Sequence, residues 1–161
     1  MSRILYMPST PLNVLVSAAL ANARRETDVA ELWLIDQKKL GDNLYIRALT
    51  AWQETPFKQL KILPGVAKGR PKLQERRDNF ERIKQGLTAF YPDVIAVGSD
   101  RRIEFQYAMH QVKKQANTVQ GWYLDDGLYS YAGRPHHVIK DGINALIKNW
   151  VGLQICCVLV Q

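Results

Sequence analysis

The chain has 161 residues, 47% of them hydrophobic, and a formal net charge of +7. This length supports one domain with a proper core and argues against a second full domain. The opening MSRILYMPSTP has too short an apolar run and too early a proline for a signal peptide, and no stretch reaches membrane-spanning length. We therefore expect a cytoplasmic protein without a transmembrane segment.

Much of the positive charge lies in residues 66–85, VAKGRPKLQERRDNFERIKQ. A basic surface attracts nucleic acid, an anionic membrane surface or small anionic substrates such as nucleotide sugars, so peripheral contact with a membrane is compatible with the composition. However, Glu75, Asp78 and Glu81 are interleaved with the basic residues, as on an ordinary exposed helix. Because the aromatic residues are not placed among these charges to stack on bases, nucleic acid is not favoured as a partner.

Strand patterns and helix patterns alternate along the chain. Thr10 before Pro11 predicts an N-cap followed by proline at the first helical position. The predicted strands are residues 3–7, 30–36, 58–64, 93–99 and 118–126. The predicted inner faces of the intervening helices are Leu12, Leu15, Val16, Ala19, Leu20 and Ala23 in the first, Leu73, Phe80, Ile83, Leu87 and Phe90 in the third, and Phe105, Ala108, Met109 and Val112 in the fourth. A less regular helix is predicted at residues 44–52, and a last one is marked by Ile143, Leu146, Ile147 and Trp150.

This alternation predicts a Rossmann-like, doubly wound α/β domain over residues 1–161, a mostly parallel sheet of five to six strands between two layers of helices. We expect the strand order 3-2-1-4-5, with ligands bound beyond the carboxyl ends of the strands, at the switch point between strands one and four. The polar residues after the strands collect at that edge. They are Ser9, Thr10, Asp36, Ser99, Asp100, Arg101, Arg102, Asp125 and Asp126.

Several familiar ligand motifs are missing from the sequence. MPSTPLN has no glycine where a dinucleotide fingerprint has two or three, and PGVAKGRPK lacks the spacing of a P-loop. Cys156 and Cys157 are adjacent, which suits neither a zinc site nor a structural disulfide and fits a reducing compartment. For Asp36 and Ser99, helix capping is the favoured interpretation. The alternative for Ser99 is anion binding, with Arg101 and backbone N–H groups beside it.

Asp125 and Asp126 stand together at the end of a predicted buried strand. Burial and mutual repulsion at such a position can raise the pKa of one carboxyl, which would make that group a proton acceptor near neutral pH. Gly127 permits a turn that lets another group approach closely. A strand-ending turn explains the same residues equally well. A magnesium site is a third interpretation, but two carboxylates form a thin ligand shell, so no metal is expected.

At two stretches the sequence resembles bacterial sialyltransferases and their polysialyltransferase relatives. YMPSTPLNVLVSAAL is similar to the strand, Thr-Pro turn and helix that begin these enzymes, and YLDDGLYSY matches their motif of two acids and a glycine. The resemblance implies an inverting, metal-independent glycosyltransferase of the two-domain GT-B type. Its substrates would be CMP-sialic acid and a glycan acceptor, and no further cofactor is implied.

The resemblance also assigns roles to residues. Asp125 or Asp126 would be the general base that deprotonates the acceptor hydroxyl. The residues expected to line the substrate cleft follow from their place at the carboxyl edge of the sheet, not from the family, and are Ser9, Thr10, Ser99, Arg101 and Gly127.

The sequence departs from this family at the donor site. The family's His-Pro motif, which binds the donor phosphate from a second domain, is not present, and RPHH has the order reversed. The expectation is therefore that the chain corresponds only to the N-terminal, acceptor-side half of such an enzyme, without the C-terminal donor-binding domain. The alternative is a non-catalytic module that binds a nucleotide, a polyanion or a protein, with Lys68, Arg70, Lys72, Arg76 and Arg77 as its basic face.

Overall fold

In the computed structural model, residues 1–38, 43–115 and 118–124 are described, and they form five strands and four helices. In chain order these are β1 (Ser2–Met7), α1 (Pro11–Ala23), β2 (Asp28–Gln37), α2 (Leu44–Ala51), β3 (Phe57–Pro64), α3 (Pro71–Phe90), β4 (Val94–Val97), α4 (Ile103–Gln115) and β5 (Gln120–Tyr123). The predicted last helix, at residues 143–150, lies outside the described residues.

The five strands form one parallel sheet in the order β3-β2-β1-β4-β5, which confirms the predicted order. Tyr6 in the central strand is level with Leu32 on one side and Ala96 on the other. A parallel pair needs a crossover, and each crossover here is a helix. The protein is therefore a three-layer α/β domain of the Rossmann-like class.

The two faces of the sheet bury separate cores. Leu5 and Met7 of β1 point to the core shared with α3 and α4, while Ile4 and Tyr6 point to the core shared with α1 and α2. Successive side chains on a strand face opposite sides, and both sides of this sheet are covered by helices. This explains why the central strands are apolar without alternation.

Helix α1 begins as predicted but buries a different face. The Thr10 side chain accepts a hydrogen bond from the Asn13 amide, and Pro11 occupies the first turn. The buried residues are Asn13, Val14, Ser17 and Ala21, whereas Leu15 is 66% exposed and Leu12 is also exposed. The prediction was therefore wrong for Leu12, Leu15, Ala19 and Ala23, which are exposed, whereas Val16 and Leu20 are partly buried against the core. The reason is that Asn13 and Ser17 find hydrogen-bond partners inside, and this removes the penalty for burying them.

Helix α3 packs as predicted over most of its length. Phe80, Ile83, Leu87 and Phe90 are buried, but Leu73 is 60% exposed. The helix begins to bury residues only at Asn79 and Phe80, so its first two turns extend past the core. On α4, by contrast, all four predicted inner residues are buried. No helix in the described part of the chain is long and apolar enough to cross a membrane.

The hydroxyl of Tyr6 gives a prediction for alkaline pH. This side chain is fully buried, and its Oη has no hydrogen-bond partner among the described residues. Burial raises the pKa of Tyr6 to about 12 from the usual 10.0; Arg24 opposes this rise and Asp28 adds to it. The folded chain therefore holds the phenol proton more tightly than the unfolded chain. Its contribution to stability is complete below pH 10 and is lost as the pH rises toward 12.

Between pH 10 and pH 12, ionisation of Tyr6 should lower the free energy of unfolding of the wild type by up to about 2 kcal/mol. We expect this decline to be absent from Tyr6→Phe. At neutral pH the variant should be at least as stable as the wild type, because it removes a buried hydroxyl that has no partner among the described residues. Urea unfolding of both proteins across the alkaline range measures the difference. Parallel pH profiles for the two proteins would contradict this role of Tyr6.

Candidate functional site

The predicted site residues in the described part of the chain lie at the carboxyl edge of the sheet. Ser9 and Thr10 follow β1, and Ser99 and Arg101 follow β4, its neighbour in the sheet. Ser9, Thr10 and Ser99 are half-buried, while Arg101 is exposed. Because the connections from β1 and β4 leave in opposite directions, a crevice opens between these two strands. The remaining predicted site residues, Asp125, Asp126 and Gly127, lie outside the described residues.

Asn13 joins the two sides of this crevice. It is fully buried, and its Oδ1 accepts hydrogen bonds from the Ser9 hydroxyl at 3.0 Å and the Ser9 amide at 3.4 Å. Its Nδ2 donates to the carbonyl of Leu124 at 3.4 Å, 111 positions along the chain. Asn13 therefore links the turn after β1 to the residue that directly precedes Asp125.

Gly98 makes room for the Asn13 side chain. A Cβ atom at position 98 would lie 1.8 Å from Asn13 Oδ1 and 2.3 Å from its Cγ. On the residue before Gly98, the carbonyl of Val97 accepts a hydrogen bond from the Leu124 amide at 2.8 Å. Leu124 is thus held at both its N–H and its carbonyl. Sequence reasoning missed Asn13 and Gly98; the available signal was a polar residue in an otherwise apolar helix start and a glycine directly after a buried strand.

A buried carboxylate lies at the same edge of the sheet, on α4. The Glu104 side chain is only 8% exposed. Its Oε1 is 3.5 Å from Arg76 Nη2 on α3, and its Oε2 is 3.5 Å from Arg102 Nε. Both arginines are partly exposed, so each keeps N–H donors that face solvent. Glu104 thereby holds two guanidinium groups at the carboxyl edge.

Asp36 does not cap a helix, so that interpretation was wrong. Asn43 is the N-cap of α2, accepting hydrogen bonds from the amides of Tyr45 and Ile46. Asp36 instead takes a left-handed backbone conformation, φ 59°, where the chain leaves β2. Gly65 packs against it so closely that a Cβ there would lie 2.7 Å from Asp36 Cα. The Asp36 carboxylate is 3.9 Å from Lys72 Nζ on α3.

The predicted capping role of Ser99 remains a prediction. Its carbonyl accepts a hydrogen bond from the Arg102 amide at 3.3 Å, in the turn that leads into α4. This turn brings Arg102 to Glu104 and leaves Arg101 exposed to solvent.

Two adjoining hollows follow this edge. The first holds only about 10 Å³ of free space, lies over the ends of β1, β2 and β4, and is lined by Met7, Pro8, Trp33, Ile35, Val97, Arg102, Glu104 and Phe105. The second, which also holds only about 10 Å³ of free space, is lined by Ile35, Asp36, Lys72, Glu75, Arg76, Asn79, Phe80 and Glu104. Ile35 and Glu104 belong to both. Together they form a groove from the β1–β4 crevice to α3, which we call the edge groove.

The fold and this groove define the class of the protein: a Rossmann-like α/β domain with a polar groove at the carboxyl edge of its sheet. Comparison with models of protein families finds no match to the chain, and comparison with curated proteins finds none either. Within residues 1–38, 43–115 and 118–124, no three His, Cys, Asp or Glu side chains are grouped so that they could hold a metal ion.

Proposed function

We propose that the chain is the acceptor-side domain of an inverting glycosyltransferase that transfers sialic acid from CMP-sialic acid to a glycan hydroxyl. The observation that best supports this is the double attachment of Leu124, whose amide and carbonyl are bound by Val97 and Asn13 beside the β1–β4 crevice. The LDDG motif begins at this residue. In sheets of this topology, that crevice is where substrates bind.

The proposed chemistry needs one proton acceptor. The acceptor oxygen attacks the anomeric carbon of sialic acid, the bond from that carbon to the phosphate oxygen breaks, and CMP leaves with the electron pair. Asp125 or Asp126 takes the proton of the attacking hydroxyl, which makes the oxygen a better nucleophile. The proposed substrate-binding residues are Ser9, Thr10, Ser99, Arg101 and Gly127.

The donor requires a further part of the enzyme. CMP carries a phosphate, and the described carboxyl edge has no glycine-rich turn after β1 of the kind that receives phosphate groups. The proposal therefore includes a donor-binding domain with a His-Pro motif, supplied by the same reading frame or by another chain.

The test is sialyl transfer in extracts of the source cells. We expect extracts with the native gene to move labelled sialic acid from CMP-sialic acid to lactose or sialyllactose, and to do so in the presence of EDTA. Extracts from a strain in which this gene is deleted should lose that transfer. Equal transfer in the two extracts, or transfer in neither, would contradict the proposed function.

A second candidate function is supported by the exposed start of α3. Lys68, Arg70 and Arg77 are exposed there, and Lys72 and Arg76 are partly exposed. A non-catalytic module that bound a polyanion through this face would lose affinity steeply as salt rises. Two results would favour the module over the transferase. Binding to heparin should be sensitive to salt and disappear when Lys68 and Arg70 are replaced, and replacing Asp125 and Asp126 should leave this binding unchanged.

A further inference from the structure

Asn79 on α3 has a hydrogen-bond acceptor that none of the described residues uses. The residue is only 6% exposed, and its Nδ2 donates to the carbonyl of Pro64 at 2.7 Å. Its Oδ1 is buried and has no hydrogen-bond partner within the described part of the chain. An acceptor left in this state costs about 1–3 kcal/mol. A ligand that brings a hydroxyl or N–H to this atom recovers that free energy.

Asn79 lines the part of the edge groove between β2, α3 and α4, and the charges there are balanced. The carboxylates are those of Asp36, Glu75 and Glu104, and the cations beside them are Lys72, Arg76 and Arg102. A phosphate or diphosphate group is bound where positive charge is in excess. A balanced set of donors and acceptors instead suits a neutral, hydroxyl-rich ligand.

Sugar hydroxyls match these groups because each one donates one hydrogen bond and accepts up to two. Lys72 and Arg76 supply donors at the mouth of the groove, while Asn79 Oδ1 supplies an acceptor at its wall. Both oxygens of Glu75 are already used by the amides of Val66 and Ala67, which fixes the loop on that side. Phe80 adds an apolar surface, and its ring centroid lies 4.7 Å from that of Tyr107, with the two ring planes tilted by 33°.

We infer that this part of the edge groove is a sugar-binding subsite, with Asn79 Oδ1 accepting from a sugar hydroxyl and Lys72 and Arg76 donating to the sugar oxygens. It is continuous with the β1–β4 crevice through Ile35 and Glu104. A glycan whose reacting end lies at the crevice would reach the subsite with a sugar further from that end. The assignment of this sugar to the acceptor glycan rests on the proposed function, whereas the subsite itself does not.

Ligand entry requires side chains to move, because each hollow holds only about 10 Å³ of free space in the unliganded chain. Asn79 Oδ1 is buried in the unliganded chain, and the partly exposed Lys72 and Arg76 line the same hollow. The ion pair of Lys72 with Asp36 is 3.9 Å long, and exposed pairs of this kind contribute little. Rotation of Lys72 toward solvent therefore opens the groove at small cost.

The test is a titration of the ¹⁵N-labelled chain with lactose and, separately, with methyl β-galactoside, followed by NMR. We expect the amide signals of Lys72, Asn79 and Glu104 to shift with at least one of the sugars, with a dissociation constant on the order of 1–10 mM. Asn79→Ala and Lys72→Ala should each weaken that binding about tenfold. Lys84→Ala, an exposed lysine on the same helix, is the matched control and should leave it unchanged.

Two outcomes would overturn the subsite. One is that neither sugar shifts these amides, and the other is that sodium phosphate shifts them while the sugars do not. Asn79→Ala also removes the hydrogen bond to the carbonyl of Pro64, so thermal melting is used to check that this variant folds. If Asn79→Ala unfolds, the effect of Lys72→Ala on sugar binding tests the subsite instead. If the titration fails but cell extracts transfer sialic acid, only the subsite is contradicted. If the titration succeeds but the extracts do not transfer sialic acid, only the proposed function is contradicted.

Discussion

Replacing both Asp125 and Asp126 with asparagine is expected to lower sialyl transfer by a factor of about 10²–10⁴, the usual contribution of a positioned general base. Asparagine keeps the size and polarity of each side chain, but it does not accept a proton at neutral pH. The loss should therefore appear in kcat, with little change in KM for the glycan acceptor. Transfer is measured in extracts of source cells that carry the variant in the native gene.

The single variants identify the base, because only one of the two carboxylates has to accept the proton. Asp78→Asn is the matched control: Asp78 is exposed on α3, away from the β1–β4 crevice, and its replacement should leave the rate unchanged. Circular dichroism of the purified chain shows whether the double variant folds. A folded double variant that transfers at the wild-type rate would remove both acids from the mechanism.

The second prediction concerns the contact between Gly98 and Asn13. We expect Gly98→Ala to lower the free energy of unfolding by about 1–3 kcal/mol, as overpacking of a buried site does. The new methyl group would lie 1.8 Å from Asn13 Oδ1. Asn13 is fully buried and bonded to both Ser9 and Leu124, so its side chain has no free direction in which to move. Urea unfolding measures the change.

A double-mutant cycle distinguishes this contact from a general effect of alanine at position 98. Asn13→Ala alone should cost about 1–3 kcal/mol, because it leaves the Leu124 carbonyl without its donor. In the double variant the clash is gone, so the loss should be smaller than the two single losses added together. Gly69→Ala is the control: Gly69 has φ +64° and no atom near the added Cβ, so its cost should be additive with that of Asn13→Ala. Additivity at Gly98 would contradict the proposed contact.

The chemistry of the carboxyl edge depends on contacts that local pattern does not encode. Glu104 follows an arginine pair in a charged helix start, and the expectation for such a glutamate is exposure to solvent. Its burial depends on Arg76, which is 28 positions away on α3. Asp36 illustrates the same point: its left-handed conformation accompanies a close contact with Gly65, and α2 starts only after a separate cap at Asn43.

The order of strands and helices, the parallel sheet and its 3-2-1-4-5 order followed from the sequence alone. Apolar periodicity is a local property, and short right-handed crossovers allow few arrangements of such elements. The Thr10 cap and the buried stripe of α4 are local in the same way. Only the tertiary structure decided that α1 turns Asn13 and Ser17 inward and leaves Leu15 outside. The physical reason is that a polar side chain can be buried without a large penalty only where it finds hydrogen-bond partners, and the partner of the Asn13 Nδ2 group, the Leu124 carbonyl, is 111 positions away.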